Sequence, residues 1–282
     1  MTTDADAMRA FEYAGWERAA SHYNDAFADA TMRFLPALLN AAAVATDKRV
    51  LDVACGTGFA TAAAAVRGAK VQGLDFSPAM LAIARSRHPN LEFAQGDAEA
   101  LPYANASFDC VVSNFGVHHV PDPVSALAEA RRVLAPGGQV AFTTWAAPED
   151  NIAWRLVFDA VRAHGDLAAA RDIPPGGRFN THDACMNALA AAHFADPRVE
   201  LQRQVWPLSR PEELIERLRY GTARMGGLIA AQDPAVLPKI VADVARQAER
   251  YRMGDRILLP IAALVASAVK TGATTAGSPL AE

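Results

Sequence analysis

A chain of 282 residues, 51% hydrophobic and 21% charged, has the composition of a globular protein with a sizeable core. Its net charge is −4, its only lysines are Lys48, Lys70, Lys239 and Lys270, and no basic tract could grip a phosphate backbone, so no nucleic-acid partner is expected. Cys55, Cys110 and Cys185 stand far apart with no C-x-x-C pair, which argues against a disulfide framework or a metal site.

The first residues lack a signal-peptide pattern, and no apolar run is long enough to span a membrane. A reducing cytoplasm is the expectation. Residues 8–45 predict helices, with Met32, Leu35, Leu38, Leu39 and Ala42 on one docking face. Trp16, Tyr23 and Phe27 precede them as an aromatic row expected to pack. Val50 to Val53 predicts a buried strand, Gly56-Thr57-Gly58 a tight turn, and Ala60 to Ala65 a helix. Such a helix start presents free N–H groups and partial positive charge to a ligand, although a turn without a ligand would read the same way.

Lys70 to Asp75 predicts a second strand ending in an acid, after which Ser77 and Pro78 open a helix. Leu91 to Phe93 predicts a third strand, ahead of Gly96-Asp97, and Phe108 to Asn114 a fourth. A helix over 123–134 stops at Pro136-Gly137-Gly138, and Gln139 to Thr144 forms a fifth strand. This alternation predicts an α/β fold with a doubly wound, mostly parallel sheet. Gly56, Gly58, Asp75, Asp97 and Asn114 then converge at the carboxyl edge, where such folds bind ligands.

Further on, helices are expected at 152–165 and 182–194, separated by Ile173-Pro174-Pro175-Gly176-Gly177. A strand follows at 199–206, then a helix opened by a Ser209/Glu212 capping box, the Gly-containing segment 224–228, a helix at 235–252 and a strand at 257–269. The expected organisation is one domain over 1–282. It has N-terminal helices at 8–45, a ligand-binding core at 48–145, helical lid insertions at about 150–195 and 210–254, and a hairpin-like pair of last strands on the sheet edge.

Asp75, about twenty residues past the glycines, can accept two hydrogen bonds from a ribose diol, and Asp97 can receive an exocyclic amine. A capping or solvated acid is the plainer alternative for each. The ordered segments Leu51-Asp52-Val53-Ala54-Cys55-Gly56-Thr57-Gly58, Gly73 to Leu81, Gly96 to Tyr103, Ser107 to Asn114 and Arg131 to Gly138 together resemble class I S-adenosylmethionine-dependent methyltransferases. The similarity is greatest to the small-molecule branch that includes ubiquinone/menaquinone-type enzymes. One departure is Ala54, where that family usually has the first glycine of D-x-G-x-G-x-G; a slightly tighter turn and retained binding are expected.

The resemblance implies a seven-stranded Rossmann-like sheet, S-adenosyl-L-methionine as cofactor and S-adenosyl-L-homocysteine as product. It implies methyl transfer to the oxygen, carbon or nitrogen of a small organic acceptor. Asp52 and the turn Ala54-Gly56-Gly58 would hold the methionine part, Asp75 the ribose hydroxyls, Phe76 and Met80 the adenine face, and Asp97 and Ala98 its edge. Asn114 and Phe115 would line the methyl-donor side, with Tyr23 over the cofactor. A homodimer is compatible with the resemblance.

His118 and His119, just past the fourth strand, are candidate bases, because histidine as a residue type titrates near neutrality. A structural His-His pair is the plainer alternative. Trp145, Trp154, Phe158, Phe179, Trp206, Tyr220, Met225 and Leu228 could wall an apolar acceptor pocket or form ordinary lid core. A D/N-P-P-Y/F turn and a Pro-Cys nucleophile are both missing, which argues against base-modifying nucleic-acid enzymes. An NAD-dependent dehydrogenase would use the same glycines and Asp75. Against it, Thr61 breaks the G-x-G-x-x-G/A fingerprint and no Tyr-x-x-x-Lys pair occurs. A non-catalytic protein that binds S-adenosylmethionine or its product is the remaining rival.

Overall fold

The computed structural model describes residues 4–171, 173 and 179–271. The Pro174 to Gly177 break and the tail beyond Thr271 lie outside the described residues. Three N-terminal helices, α1 (Asp4–Ala26), α2 (Ala28–Met32) and α3 (Leu35–Ala41), precede the sheet. Then β1 (Arg49–Val53), α4 (Phe59–Val66), β2 (Lys70–Asp75), α5 (Pro78–Arg87), β3 (Glu92–Gln95), β4 (Phe108–Asn114), α6 (Pro123–Val133) and β5 (Leu134–Trp145) follow in alternation. Two helices, α7 (Ile152–His164) and α8 (His182–Ala191), separate β5 from β6 (Ala195–Leu208). Three more, α9 (Glu213–Gly221), α10 (Arg224–Ala230) and α11 (Leu237–Ala248), precede the last long strand, β7 (Arg256–Val269).

The strand order is β3-β2-β1-β4-β5-β7-β6, and the two-residue strand Arg252–Met253 pairs with β7. Strands β1 to β5 run parallel, whereas β7 lies antiparallel between β5 and β6. The last two long strands thus form the expected edge pair, with the final strand entering on the inner side. Parallel pairing covered on both faces explains the almost continuous apolar text of β1 and β4. No helix among the described residues is long and apolar enough to cross a membrane.

Local chemistry fixes the helix starts nearest the carboxyl edge. The Ser77 hydroxyl accepts the Met80 N–H at 3.1 Å, with Pro78 at the first helical position of α5. Asp122 accepts the N–H groups of Val124 and Ser125 at the start of α6. The Ser209/Glu212 box does not form. The Glu213 side chain instead takes the Ser209 N–H at 3.3 Å, and α9 starts at Glu213.

Residues 224–228 belong to α10 despite two glycines. A Cβ on Gly226 would stand 2.5 Å from the Arg219 carbonyl oxygen, so close approach of α10 to α9 requires that glycine. Leu35, Leu38, Leu39 and Ala42 are buried as predicted, but Met32 is exposed, because α2 ends there and the chain turns before α3. Helix α6 ends at Val133, and Pro136-Gly137-Gly138 falls within the irregular start of β5 rather than in a separate loop.

Candidate functional site

The carboxyl ends of β1, β2, β3 and β4 open onto a cavity. Three backbone positions shape its floor. Ala54, Gly56 and Gly58 all adopt positive φ, at 57°, 54° and 87°. A Cβ on Gly56 would meet nothing within 4 Å, so the loop leaves open space beside the cavity. Gly58 instead caps α4, and a Cβ there would strike the Phe93 ring at 2.9 Å. Ala54 carries a left-handed backbone without being glycine, at a cost of roughly 1–2 kcal/mol.

Asp75 is the buried acid of this cavity. One carboxylate oxygen accepts the Gly56 N–H at 2.7 Å, and the other accepts the Ser77 N–H at 2.9 Å. Burial pushes its carboxyl up to about 6, against the pull of the backbone N–H groups of Ser77, Gly56 and Phe76. Each oxygen keeps acceptor capacity toward the cavity.

Tyr23, Ala54, Gly56, Asp75, Phe76, Met80, Asp97, Ala98, Asn114 and Phe115 all line this space. Asp97 already holds Arg9, which also reaches Glu99 at 2.7 Å. Asn114 accepts the Thr143 hydroxyl at 2.8 Å, and Phe115 stacks on Trp145 with ring centroids 4.0 Å apart. The Tyr23 hydroxyl meets the Thr31 hydroxyl at 3.0 Å, and burial pushes its pKa up to about 12.

Two predicted residues, Asp52 and Gly58, stand outside the lining. Asp52 is fully buried behind the loop, where the Thr61 hydroxyl donates to it at 2.6 Å. The threonine that breaks the dinucleotide fingerprint therefore anchors the acid at the end of β1. Burial pushes Asp52 up to about 7, with Asp75 adding repulsion and Thr61 opposing. A raised carboxylate pKa means the folded chain holds the proton more tightly than the unfolded one. The associated stability is present at low pH and is lost as pH rises from about 4 to about 7. Asp52→Asn should therefore gain stability relative to the parent between about pH 5 and pH 8, on the order of 1.4 kcal/mol per unit of pKa shift removed. Urea unfolding at the two pH values tests this; a constant difference would contradict it.

A second chamber adjoins the first. Trp16, Phe27, His119 and Trp145 line both. Trp154, Phe158, Met225 and Leu228 line the second, the first of the two readings open to them. Phe179 instead packs against Phe142, Trp206 is fully buried against Phe27, and Tyr220 lies half exposed beside His22. These three belong to core and surface.

The two histidines separate. His118 faces the second chamber but is buried; desolvation, with the His119 and Arg224 charges adding, holds its pKa well below the usual value. The Nδ1 of His119 lies 3.0 Å from Glu12 Oε2. Sequence reasoning gave no sign of Glu12. It is one acid on a long polar helix, and only the docking of α1 across the carboxyl edge buries it. The same docking brings Asn24 to the Thr57 hydroxyl at 2.7 Å and Glu17 to the Ser77 hydroxyl at 2.6 Å.

Residues 51–142 match the family described as "Methyltransferase domain". The demethylmenaquinone methyltransferase of Renibacterium salmoninarum is 42% identical over 118 residues, covering 42% of this chain and 50% of that protein. The malonyl-[acyl-carrier protein] O-methyltransferase of Enterobacter lignolyticus is 39% identical over 164 residues, covering 55% and 62%. The chain spans about half the length of the curated relatives it matches. Among solved structures, the YcgJ protein from Bacillus subtilis superposes with a TM-score of 0.56 at 21% identity, over 85% of this chain and 99% of that one. Strand order, ordered motifs and these matches agree: residues 51–142 match a methyltransferase domain and resemble the class I S-adenosylmethionine-dependent methyltransferases of the menaquinone type.

Proposed function

We propose that the chain transfers a methyl group from S-adenosyl-L-methionine to a small organic acceptor, leaving S-adenosyl-L-homocysteine. The observation that carries this reading is the pairing of two chambers across a shared wall of Trp16, Phe27, His119 and Trp145. A protein that only senses the cofactor needs one chamber, whereas a transferase needs two that meet. The residues of the first chamber fit an adenosyl compound. Asp75 offers two carboxylate oxygens held only by backbone donors, and the Gly56 loop leaves room beside it. When bound, the sulfonium supplies an activated methyl and its own leaving group. The chain must orient the acceptor and exclude water.

In this reading Asp75 takes the ribose hydroxyls, and Phe76 and Met80 cover the adenine, whose edge meets Asp97 and Ala98. Ala54 and Gly56 face the methionine part, with Asp52 and Gly58 shaping the loop from behind. Asn114, Phe115 and Tyr23 border the reacting end. Helices α7 and α10 border the acceptor chamber as its lid. Low lysine content and an apolar chamber favour a small molecule over nucleic acid. Three buried free cysteines fit a reducing cytoplasm.

Thermal unfolding tests the cofactor assignment. S-adenosylhomocysteine at about a hundred times its dissociation constant should add roughly 2.7 kcal/mol, and NAD should add nothing. A shift with NAD alone would move the chain to the dehydrogenase class. Cofactor binding without turnover on any acceptor would favour the non-catalytic rival.

A further inference from the structure

We propose that the groove over the seam of α7 and α11 binds a phosphate group, gripped by Arg155 and Arg250. This second site shares no lining residue with either chamber, and it stands whether or not the chain transfers methyl groups. Three elements build it. Helix α7 supplies Arg155, Leu156 and Asp159, α11 supplies Gln247, and the single helical turn Glu249–Tyr251 supplies Arg250 and Tyr251. The two helices share one buried core through Leu156, Val157, Ile240, Val244 and Ala248, and Tyr251 packs against it. Core packing therefore holds the groove in place, and its polar groups are not needed for that.

Those polar groups are idle donors. Among the described residues the Arg155 and Arg250 guanidinium groups, the Gln247 amide and the Tyr251 hydroxyl have no ion pair or hydrogen bond. The carboxylate in the lining, Asp159, is already held by Arg162 at 2.7 Å. Glu249, next to Arg250 in the chain, accepts twice from Arg252. The groove thus keeps two uncompensated positive charges in a chain whose net charge is −4. A groove at the amino end of β2 shows the contrast: there Arg49 is paired with Asp109 and Lys70 with Asp47.

Charge selects the ligand. A carboxylate carries one charge, and a single guanidinium fork satisfies both of its oxygens. A phosphate monoester carries about −1.5 to −2 at pH 7 and three acceptor oxygens, so it can engage two forks and still accept from Tyr251 or Gln247. Both arginines reach solvent, so binding should weaken as chloride rises. A bound phosphate would tie α7, whose Trp154 and Phe158 wall the second chamber, to the turn after α11.

A soluble phosphate ester and a lipid headgroup share this chemistry, and two arms of the test separate them. Calorimetry on the full chain at constant ionic strength uses orthophosphate and glycerophosphate, with acetate as the carboxylate control. Flotation uses phosphatidylcholine vesicles with and without phosphatidic acid. Arg155→Ala and Arg250→Ala should each weaken binding at least about tenfold. Asp159→Asn should strengthen it, because the lining then holds no carboxylate; a general salt effect would move none of the three. Saturable binding of the soluble phosphates, lost in the arginine variants, supports the site and a soluble ligand. Capture by phosphatidic acid alone, lost in the same variants, supports the site and a headgroup. No saturable binding in either arm, equal binding by parent and arginine variants, weaker binding by Asp159→Asn, or acetate bound as tightly as phosphate would overturn the site. Thermal unfolding without ligand checks that each variant is folded; if one arginine variant is not, the other decides.

Discussion

Replacing Asp75 by alanine should lower the affinity for S-adenosylhomocysteine by at least about 100-fold, the largest binding effect expected from any single side chain. The carboxylate has two duties. It gathers the Gly56 and Ser77 N–H groups, which fixes the β1–α4 loop relative to the start of α5. It also presents the outer lone pairs of both oxygens to the cavity. Two hydrogen bonds to a charged group contribute about 1.5–3 kcal/mol each, enough for a loss of about two to four decades. Asparagine should not rescue, because both protein neighbours are donors and one would face the amide NH2. Since the carboxyl sits at about 6, affinity should also decline as pH falls through that value, when one acceptor oxygen becomes a donor. Calorimetry at about pH 8 and pH 5 reads both effects. Full affinity in the alanine variant would remove Asp75 from the site.

The second large effect concerns folding. Gly116→Ala should destabilise by about 1–3 kcal/mol through overpacking, because the new Cβ would lie 2.5 Å from the Ala54 Cβ and 2.6 Å from the Ser113 hydroxyl oxygen. The backbone at Gly116 has φ −97°, so strain is not the cause. Ala54, whose methyl occupies the space above Gly116, is one cause, and the Ser113 hydroxyl is the other. Ala54→Gly should be near neutral, since relief of the left-handed backbone offsets the lost methyl contact. In the double variant Gly116→Ala should cost less by about 1 kcal/mol, a coupling that urea unfolding of all four chains would measure. Additive costs would show that the two loops do not share this space. The alanine that departs from the family's usual glycine is thus tied to a glycine sixty-two positions later.

The distinction between local and distant information explains what could be foreseen. Strands β1, β2 and β4, the cap at Ser77 and the acid at Asp75 were legible because each is written in a few adjacent residues. Alternation of strand and helix then leaves few topologies, so the carboxyl-edge convergence followed. The Ser209/Glu212 box misled because its residue types permit a cap but do not oblige one when Glu213 can serve. Phe179, Trp206 and Tyr220 could not be sorted for a different reason: an aromatic in lid sequence carries no mark of whether it faces a chamber, core or solvent.

By itself the sequence determined the parallel core, the glycine loop and the acid that ends β2, since hydrophobic period and turn chemistry act over a handful of residues. Tertiary structure alone decided the junction between the chambers. His119 meets Glu12 across 107 positions, and Arg224 meets the same carboxylate across 212. No local pattern predicts such a meeting, because a buried ion pair exists only where separate elements, here α1, the turn after β4 and α10, exclude water together.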